Sequence, residues 1–125
     1  MSGQALRVPD IDSGKWYTSQ AAEEVVQVRT GRGLFWSLYA TNTSGSTRYV
    51  WVFDNTASSG TVVTGPFPIA AGQALGMDLR YGIPFENGLR VAASSTHATF
   101  TATAANDMRY SVGYGVNARR KDGNN

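Results

Sequence analysis

Apolar and polar side chains alternate with a period of two along most of the chain, and these stretches recur at intervals of about 8 to 15 residues. β-Branched and aromatic residues fill the stretches, and clusters of Gly, Pro, Asn and Ser separate them. Helical periodicity is nearly absent. The pattern therefore predicts an all-β protein, an antiparallel two-sheet sandwich of jelly-roll or Greek-key type with eight or nine strands.

Individual strands can be placed from the alternation and from the turn residues between them. Residues 21–24 are interpreted as a helical turn or a bend, and residues 80–84 as a loop. Either Gly31 or Gly33 can supply the positive φ of the turn that joins two early strands. The strands are expected at residues 15–20, 24–30, 34–41, 48–54, 61–64, 74–79, 85–94, 100–103 and 108–116.

The best-defined element is a predicted hairpin of residues 34–54, closed by the polar loop 42–47. Large apolar groups should share one face of each of its strands. These are Leu34, Trp36, Leu38 and Ala40 on the first strand and Tyr49, Trp51 and Phe53 on the second. Because they lie in mid-strand, Trp36 and Trp51 are expected to pack in the core.

Two prolines restrict the strand that follows this hairpin. Pro66 and Pro68 have no backbone N–H, which excludes a central strand position and predicts an edge strand or a crossover between sheets. Farther along, Asn87-Gly88 is the strongest short signal for a turn or a bulge.

The two ends of the chain are predicted to flank the sandwich. Residues 1–14 are expected to form an extended arm, residues 15–118 the sandwich and residues 119–125 a solvated tail. No signal peptide or membrane-spanning stretch is recognisable. Trp16, next to the arm, is expected at a surface. The candidate interface residues are Leu6, Val8, Pro9, Ile11, Trp16, Arg119 and Arg120.

Composition narrows the chemistry that the chain can carry. Only 16% of the residues are charged and the net charge is +2, whereas Ser, Thr, Asn and Gly supply 44 of the 125 residues. The absence of Cys excludes disulfides and thiolate sites, and one His cannot build a multi-His metal site. We therefore expect no cofactor and no metal. Lys and Arg cluster only at residues 119–121, so no nucleic-acid partner is expected, nor a membrane.

Two catalytic arrangements can be drawn from the sequence. Asp54, Asp78 and Glu86 lie at predicted strand ends, where two of them could face each other as in a glycosidase. His97 could join a nearby serine, Ser94 or Ser95, in a hydrolase-like triad, but no G-x-S-x-G motif supports it. Both groups are better interpreted as turn, strand-end and loop residues, so we predict that the protein is not an enzyme.

Two stretches resemble a family of small virion proteins of tailed bacteriophages. One is LYATNTSGSTRYVWVF (residues 38–53), which together with Asp54 gives the R-Y-x-x-x-F-D pattern of residues 48–54. The other is PFENGLRVAASST (residues 84–96). The resemblance spans residues 34–114 and rests on turns and core positions, so it transfers no catalytic residue.

The resemblance implies a decoration or cement protein on the outer surface of the phage head. Its partners would be the major capsid protein and further copies of itself, with a trimer suited to threefold positions of the shell. It would be made in the host cytoplasm and reside on the capsid surface, and the arm would gain order on docking. The alternative is a component of the tail, neck or baseplate, or a receptor- or glycan-binding module that uses the loop of residues 55–60.

Overall fold

The structure, a computed structural model, describes residues 14–116 of the chain. These residues form eight strands: β1 (Lys15–Thr18), β2 (Val25–Thr30), β3 (Gly33–Asn42), β4 (Arg48–Phe53), β5 (Val62–Ile69), β6 (Ala74–Phe85), β7 (Gly88–Ser94) and β8 (Met108–Gly115). Within this range no helix is long and apolar enough to cross a membrane. The predicted interface residues of the arm and tail, namely Leu6, Val8, Pro9, Ile11, Arg119 and Arg120, lie outside the described residues.

The strands build two four-stranded antiparallel sheets, which confirms the predicted all-β sandwich. The first sheet has the order β1-β8-β3-β6, and the second has the order β2-β7-β4-β5. The strands pair from the outside of the sequence inward: β1 pairs with β8, β2 with β7, β3 with β6 and β4 with β5. The chain is therefore one long hairpin that is wrapped over two sheets, which is the jelly-roll arrangement.

The predicted hairpin of residues 34–54 is wrong, because β3 and β4 belong to different sheets. Residues 42–47 instead carry the chain across the sandwich. Asn42 holds this crossing: its buried side-chain amide donates to the carbonyls of Ser46 and Ile69, both at 2.8 Å. A polar loop with a glycine signals a change of direction, but it does not encode which sheet the next strand joins.

The core lies between the two sheets and follows the predicted alternation on β8. Met108, Tyr110 and Val112 are each at most 1% exposed. On β4, however, Val50 and Val52 enter the core, and the aromatic residues occupy the opposite face. The expectation that Trp51 packs in the central core is therefore wrong.

A bulge changes the facing of β3 in mid-strand. Both ladders of this strand shift register between Phe35 and Ser37. As a result Phe35, Leu38 and Ala40 point into the core, and Trp36 does not share their face. The predicted common face of Leu34, Trp36, Leu38 and Ala40 is therefore wrong, because one extra residue breaks the period of two.

Pro66 and Pro68 lie on β5, an edge strand of the second sheet, as their missing N–H groups predicted. The strand is longer than expected and continues through both prolines to Ile69. Similarly, β6 extends through residues 80–84, which were expected to be a loop. Residues 100–103 form no strand and contribute a single bridge between Ala102 and Ser94.

Candidate functional site

The outer face of the second sheet is covered by the chain itself. The rings of Trp51 and Phe53 stack at 5.8 Å, and Phe100 packs edge-on against both, at 6.0 and 5.4 Å. His97 contacts the ring of Tyr49 edge-on at 5.5 Å. Residues 95–107 thus form a covering segment over this face.

Buried polar contacts hold the covering segment in place. The hydroxyl of Ser94 accepts hydrogen bonds from the backbone amides of Thr96 and Thr101, at 3.1 and 2.8 Å. At the far end Arg48 forms an ion pair with Asp107 at 2.9 Å. This cover explains why β7 is buried on both faces rather than on alternate residues.

The outer face of the first sheet has no such cover among residues 14–116. Trp16 is 53% exposed there and Tyr39 is 42% exposed. Their rings stack with a centroid distance of 6.3 Å and an interplanar angle of 28°. Trp16 therefore lies at the surface, and its role in an interface stays a prediction.

Two glycines let these rings lie against the sheet. Gly113 is the register partner of Trp16, and Gly76 is the partner of Tyr39. A Cβ on Gly113 would lie 3.1 Å from the indole of Trp16 and 3.1 Å from Trp36. A Cβ on Gly76 would lie 2.8 Å from the Tyr39 ring. We call Trp16, Trp36 and Tyr39 the aromatic platform.

A carboxylate is fixed beside the platform. Asp78 accepts hydrogen bonds from the hydroxyls of Ser37, at 2.5 Å, and Tyr39, at 2.9 Å. The pKa of Asp78 is lowered below 3.8, chiefly by the hydrogen bond from Ser37 and secondly by the one from Tyr39. The same bond to Asp78 raises the pKa of Tyr39 above 10.0. The platform therefore carries a fixed negative charge on one side at neutral pH.

A small cavity of about 190 Å³ opens on the other side of Tyr39. The residues that line it include Thr18, Thr41 and Ser111, which carry hydroxyl groups, and Arg109. Arg109 is exposed, and its guanidinium has no hydrogen-bond or ion-pair partner within residues 14–116. The cavity thus offers one cation and several hydroxyls to a ligand that rests on Tyr39.

The three candidate glycosidase carboxylates do not gather into one cleft. Asp54 accepts hydrogen bonds from the backbone amides of residues 86–88, which brings it to the turn that carries Glu86. Asp78 is instead bonded to Ser37 and Tyr39 on the first sheet.

The candidate triad is not assembled either. The hydroxyl of Ser94 bonds within residues 94–101, and His97 packs on Tyr49. Among residues 14–116 no group of three or more His, Cys, Asp or Glu side chains could hold a metal ion.

The alternative interpretation uses the loop of residues 55–60 for receptor binding. Several polar groups of this loop form hydrogen bonds within the protein. Asn55 donates to the carbonyl of Ser59 at 2.8 Å, and the Ser58 hydroxyl accepts from Arg90 at 2.9 Å. Arg90 also donates to Gln27 at 3.0 Å. These groups stabilise the loop and are already occupied.

Sequence reasoning singled out Trp16 but not Tyr39, Asp78 or Arg109 as members of one surface. The available signal was the pairing of a ring on one strand with a glycine on the next, and it depends on register. Comparison of the chain with protein-family models, with curated proteins and with solved structures returned no match.

Proposed function

We propose that the protein is a non-enzymatic structural component of a phage virion, a decoration or cement protein that binds the outer surface of the head. Its partners are the major capsid protein and further copies of itself, arranged as a trimer on the capsid surface. The single observation that carries this proposal is Tyr81, a large side chain that is 82% exposed on a bulge of β6.

The bulge is built into the edge of the first sheet. Phe35 pairs with Ile83 and Ser37 pairs with Asp78, so residues 79–82 stand outside the regular ladder. Gly82 adopts a φ of 75° here, and a side chain at this position would press on Leu34 at 3.0 Å. The bulge, with Gly82 at a positive φ, thus places Tyr81 at the protein surface.

The chemistry of the tip matches that of protein interfaces. The guanidinium of Arg80 lies over the Tyr81 ring, 5.3 Å from its centroid. Tyr and Arg are enriched among the residues that dominate binding energy, since each combines a large contact area with hydrogen-bonding capacity. Removing such a residue costs about 2 kcal/mol or more when it is central to an interface.

Three broader features support the virion assignment. The jelly roll is a fold of viral capsid proteins as well as lectins, an analogy that by itself names no function. The motifs of residues 48–54 and 84–96 add the resemblance to virion proteins of tailed phages. A chain with 16% charged residues also presents few charges that association must desolvate.

The test measures binding of purified protein to phage heads that lack it, by co-sedimentation, and its oligomeric state by light scattering. We expect a trimer that binds the heads. Tyr81→Ala should weaken head binding at least about tenfold, or about 1.4 kcal/mol, without lowering the melting temperature. Val62→Ala is the matched control, because Val62 is 38% exposed on the second sheet.

Two results would overturn the proposal. If the protein is a monomer and fails to bind heads, the cement function is ruled out. Electron microscopy of virions carrying a labelled copy would decide between positions, since label confined to the tail, neck or baseplate establishes the alternative assignment.

A further inference from the structure

We infer that the aromatic platform and the adjoining cavity form a binding site for a neutral saccharide built from pyranose rings. The site is separate from the Tyr81 bulge, so this inference does not rest on the proposed virion function. It uses Trp16 and Tyr39 as stacking surfaces, and Asp78 and Arg109 as the flanking polar groups.

The orientation of the rings is the first argument. A pyranose ring has an apolar C–H face that packs on an aromatic face, which requires the aromatic ring to lie open to solvent. Trp16 and Tyr39 meet this requirement because Gly113 and Gly76, which lack side chains, let the two rings lie close against the sheet while their outer sides stay exposed. The two stacked rings, 53% and 42% exposed, form one continuous surface.

The polar groups around the rings are the second argument. Saccharides are recognised where carboxylates and guanidinium groups surround such a surface, since each sugar hydroxyl both donates and accepts. Asp78 is held ionised beside Tyr39 and retains oxygen lone pairs for sugar hydroxyls. On the opposite side the cavity supplies Arg109, Ser111 and Thr41. Because the negative charge of Asp78 and the positive charge of Arg109 flank the rings on opposite sides, the site suits a neutral saccharide.

A purely structural role explains only part of this arrangement. An aromatic residue opposite a glycine can stabilise a sheet by covering the exposed backbone. That role accounts for Trp16 over Gly113. It does not account for the cavity beside Tyr39, which hydroxyl-bearing residues line, or for Arg109, whose guanidinium has no partner within residues 14–116. The cavity, at about 190 Å³, is smaller than the pockets that enclose whole small molecules, so it suits the polar edge of one sugar ring whose face rests on Tyr39.

The experiment titrates the isotope-labelled full-length protein with cellohexaose, maltohexaose and chitohexaose at millimolar concentration and follows its amide and indole resonances. We expect at least one of the three to shift the signals of Trp16, Gly113 and Ser111 in a saturable manner. Trp16→Leu, which still covers Gly113, should weaken this binding at least about tenfold while the protein stays folded. Arg109→Gln should weaken it less.

Cross-testing separates the site from the virion function. Tyr81→Ala should keep the saccharide-induced shifts, and Arg109→Gln, at a residue outside the predicted head interface, should keep binding to heads. No shift at the platform with any of the three saccharides would overturn the inference. Unchanged affinity in Trp16→Leu would also overturn it. A loss of oligomerisation in Trp16→Leu without saccharide binding would instead assign the platform to contacts between copies.

Discussion

The carboxylate of Asp54 accepts a hydrogen bond of 2.7 Å from the backbone amide of Asn87, more than thirty residues along the chain. The amides of Glu86 and Gly88 bond to the same carboxylate, at 3.0 and 3.3 Å. Asp54 directly follows one of the two stretches that resemble phage virion proteins and completes its R-Y-x-x-x-F-D pattern, and Asn87 lies in the other stretch. The two stretches are therefore one structural unit, in which the end of β4 caps the turn between β6 and β7.

Replacing Asp54 by Ala should destabilise the sandwich by about 1–2 kcal/mol, because three backbone amides of the turn lose their shared acceptor. Denaturation in urea measures the change. Glu86→Gln is the control, since it removes a charge from the same turn without removing an acceptor of these bonds. Equal losses in the two variants would show that charge, and not capping, stabilises the turn.

The acid limb of the stability curve should depend on Asp54. Burial alone would raise the pKa of Asp54, but the bonds from the backbone of Asn87, Glu86 and Gly88 together lower it below 3.8. A carboxyl group with a depressed pKa contributes stability above its unfolded pKa, and this contribution is lost as the pH falls through the folded pKa. We therefore expect Asp54→Asn to flatten the fall in melting temperature below about pH 4. An unchanged slope would exclude this contribution.

The crossing between the sheets should depend on Asn42. Its amide nitrogen donates to two carbonyls and its oxygen accepts from the backbone amide of Ser44 at 2.9 Å. Asn42 is 0% exposed, and Asn42→Ala removes the donor to the carbonyl of Ile69 in a buried bond, so we expect a loss of about 1–3 kcal/mol. Thermal and urea unfolding give the value. Thr47→Ala, in the same segment but exposed, should change stability by less than about 0.5 kcal/mol.

The covering segment should be stabilised chiefly by Phe100. Phe100→Ala removes the ring that packs on Trp51 and Phe53, and we expect a loss of about 2 kcal/mol because Phe100 is only partly buried. Amide exchange should accelerate in residues 95–107 before the sheets unfold.

The indole nitrogen of Trp51 is buried without a hydrogen-bond partner. Trp51→Phe, which keeps a stacked ring and deletes this donor, should therefore cost less than Phe100→Ala.

Much of the fold follows from local pattern. The alternation of Met108, Tyr110 and Val112 places β8 correctly, because period two survives wherever a strand is regular. The missing N–H groups of Pro66 and Pro68 likewise set the edge position of β5. These features depend only on neighbouring residues, so one sequence is sufficient to predict them.

The wrong predictions concern side chains whose facing is decided by contacts between residues far apart in the sequence. The bulge after Phe35 reverses the facing of Trp36, and nothing in the neighbouring residues marks it. Trp51 looks like a core residue by its position in the strand. It lies on the outer face because Val50 and Val52 face the core, and residues 95–107 return to cover it there. For the same reason the platform was not predicted: Tyr39 meets Gly76 only once the register of β3 and β6 is known.

Removal of residues 1–14 should leave the sandwich folded. β1 is held to β8 from Lys15 onward, and beyond it the backbone amide of Ser19 donates to the carbonyl of Tyr110 at 2.9 Å. These contacts lie within the described chain and do not involve the deleted residues, so the melting temperature should shift by only a few degrees. Co-sedimentation with heads should weaken, because Leu6, Val8, Pro9 and Ile11 are predicted contacts. A shortened protein that fails to fold would instead assign the arm to the core, and one that binds heads as tightly as the full chain would remove these four residues from the interface.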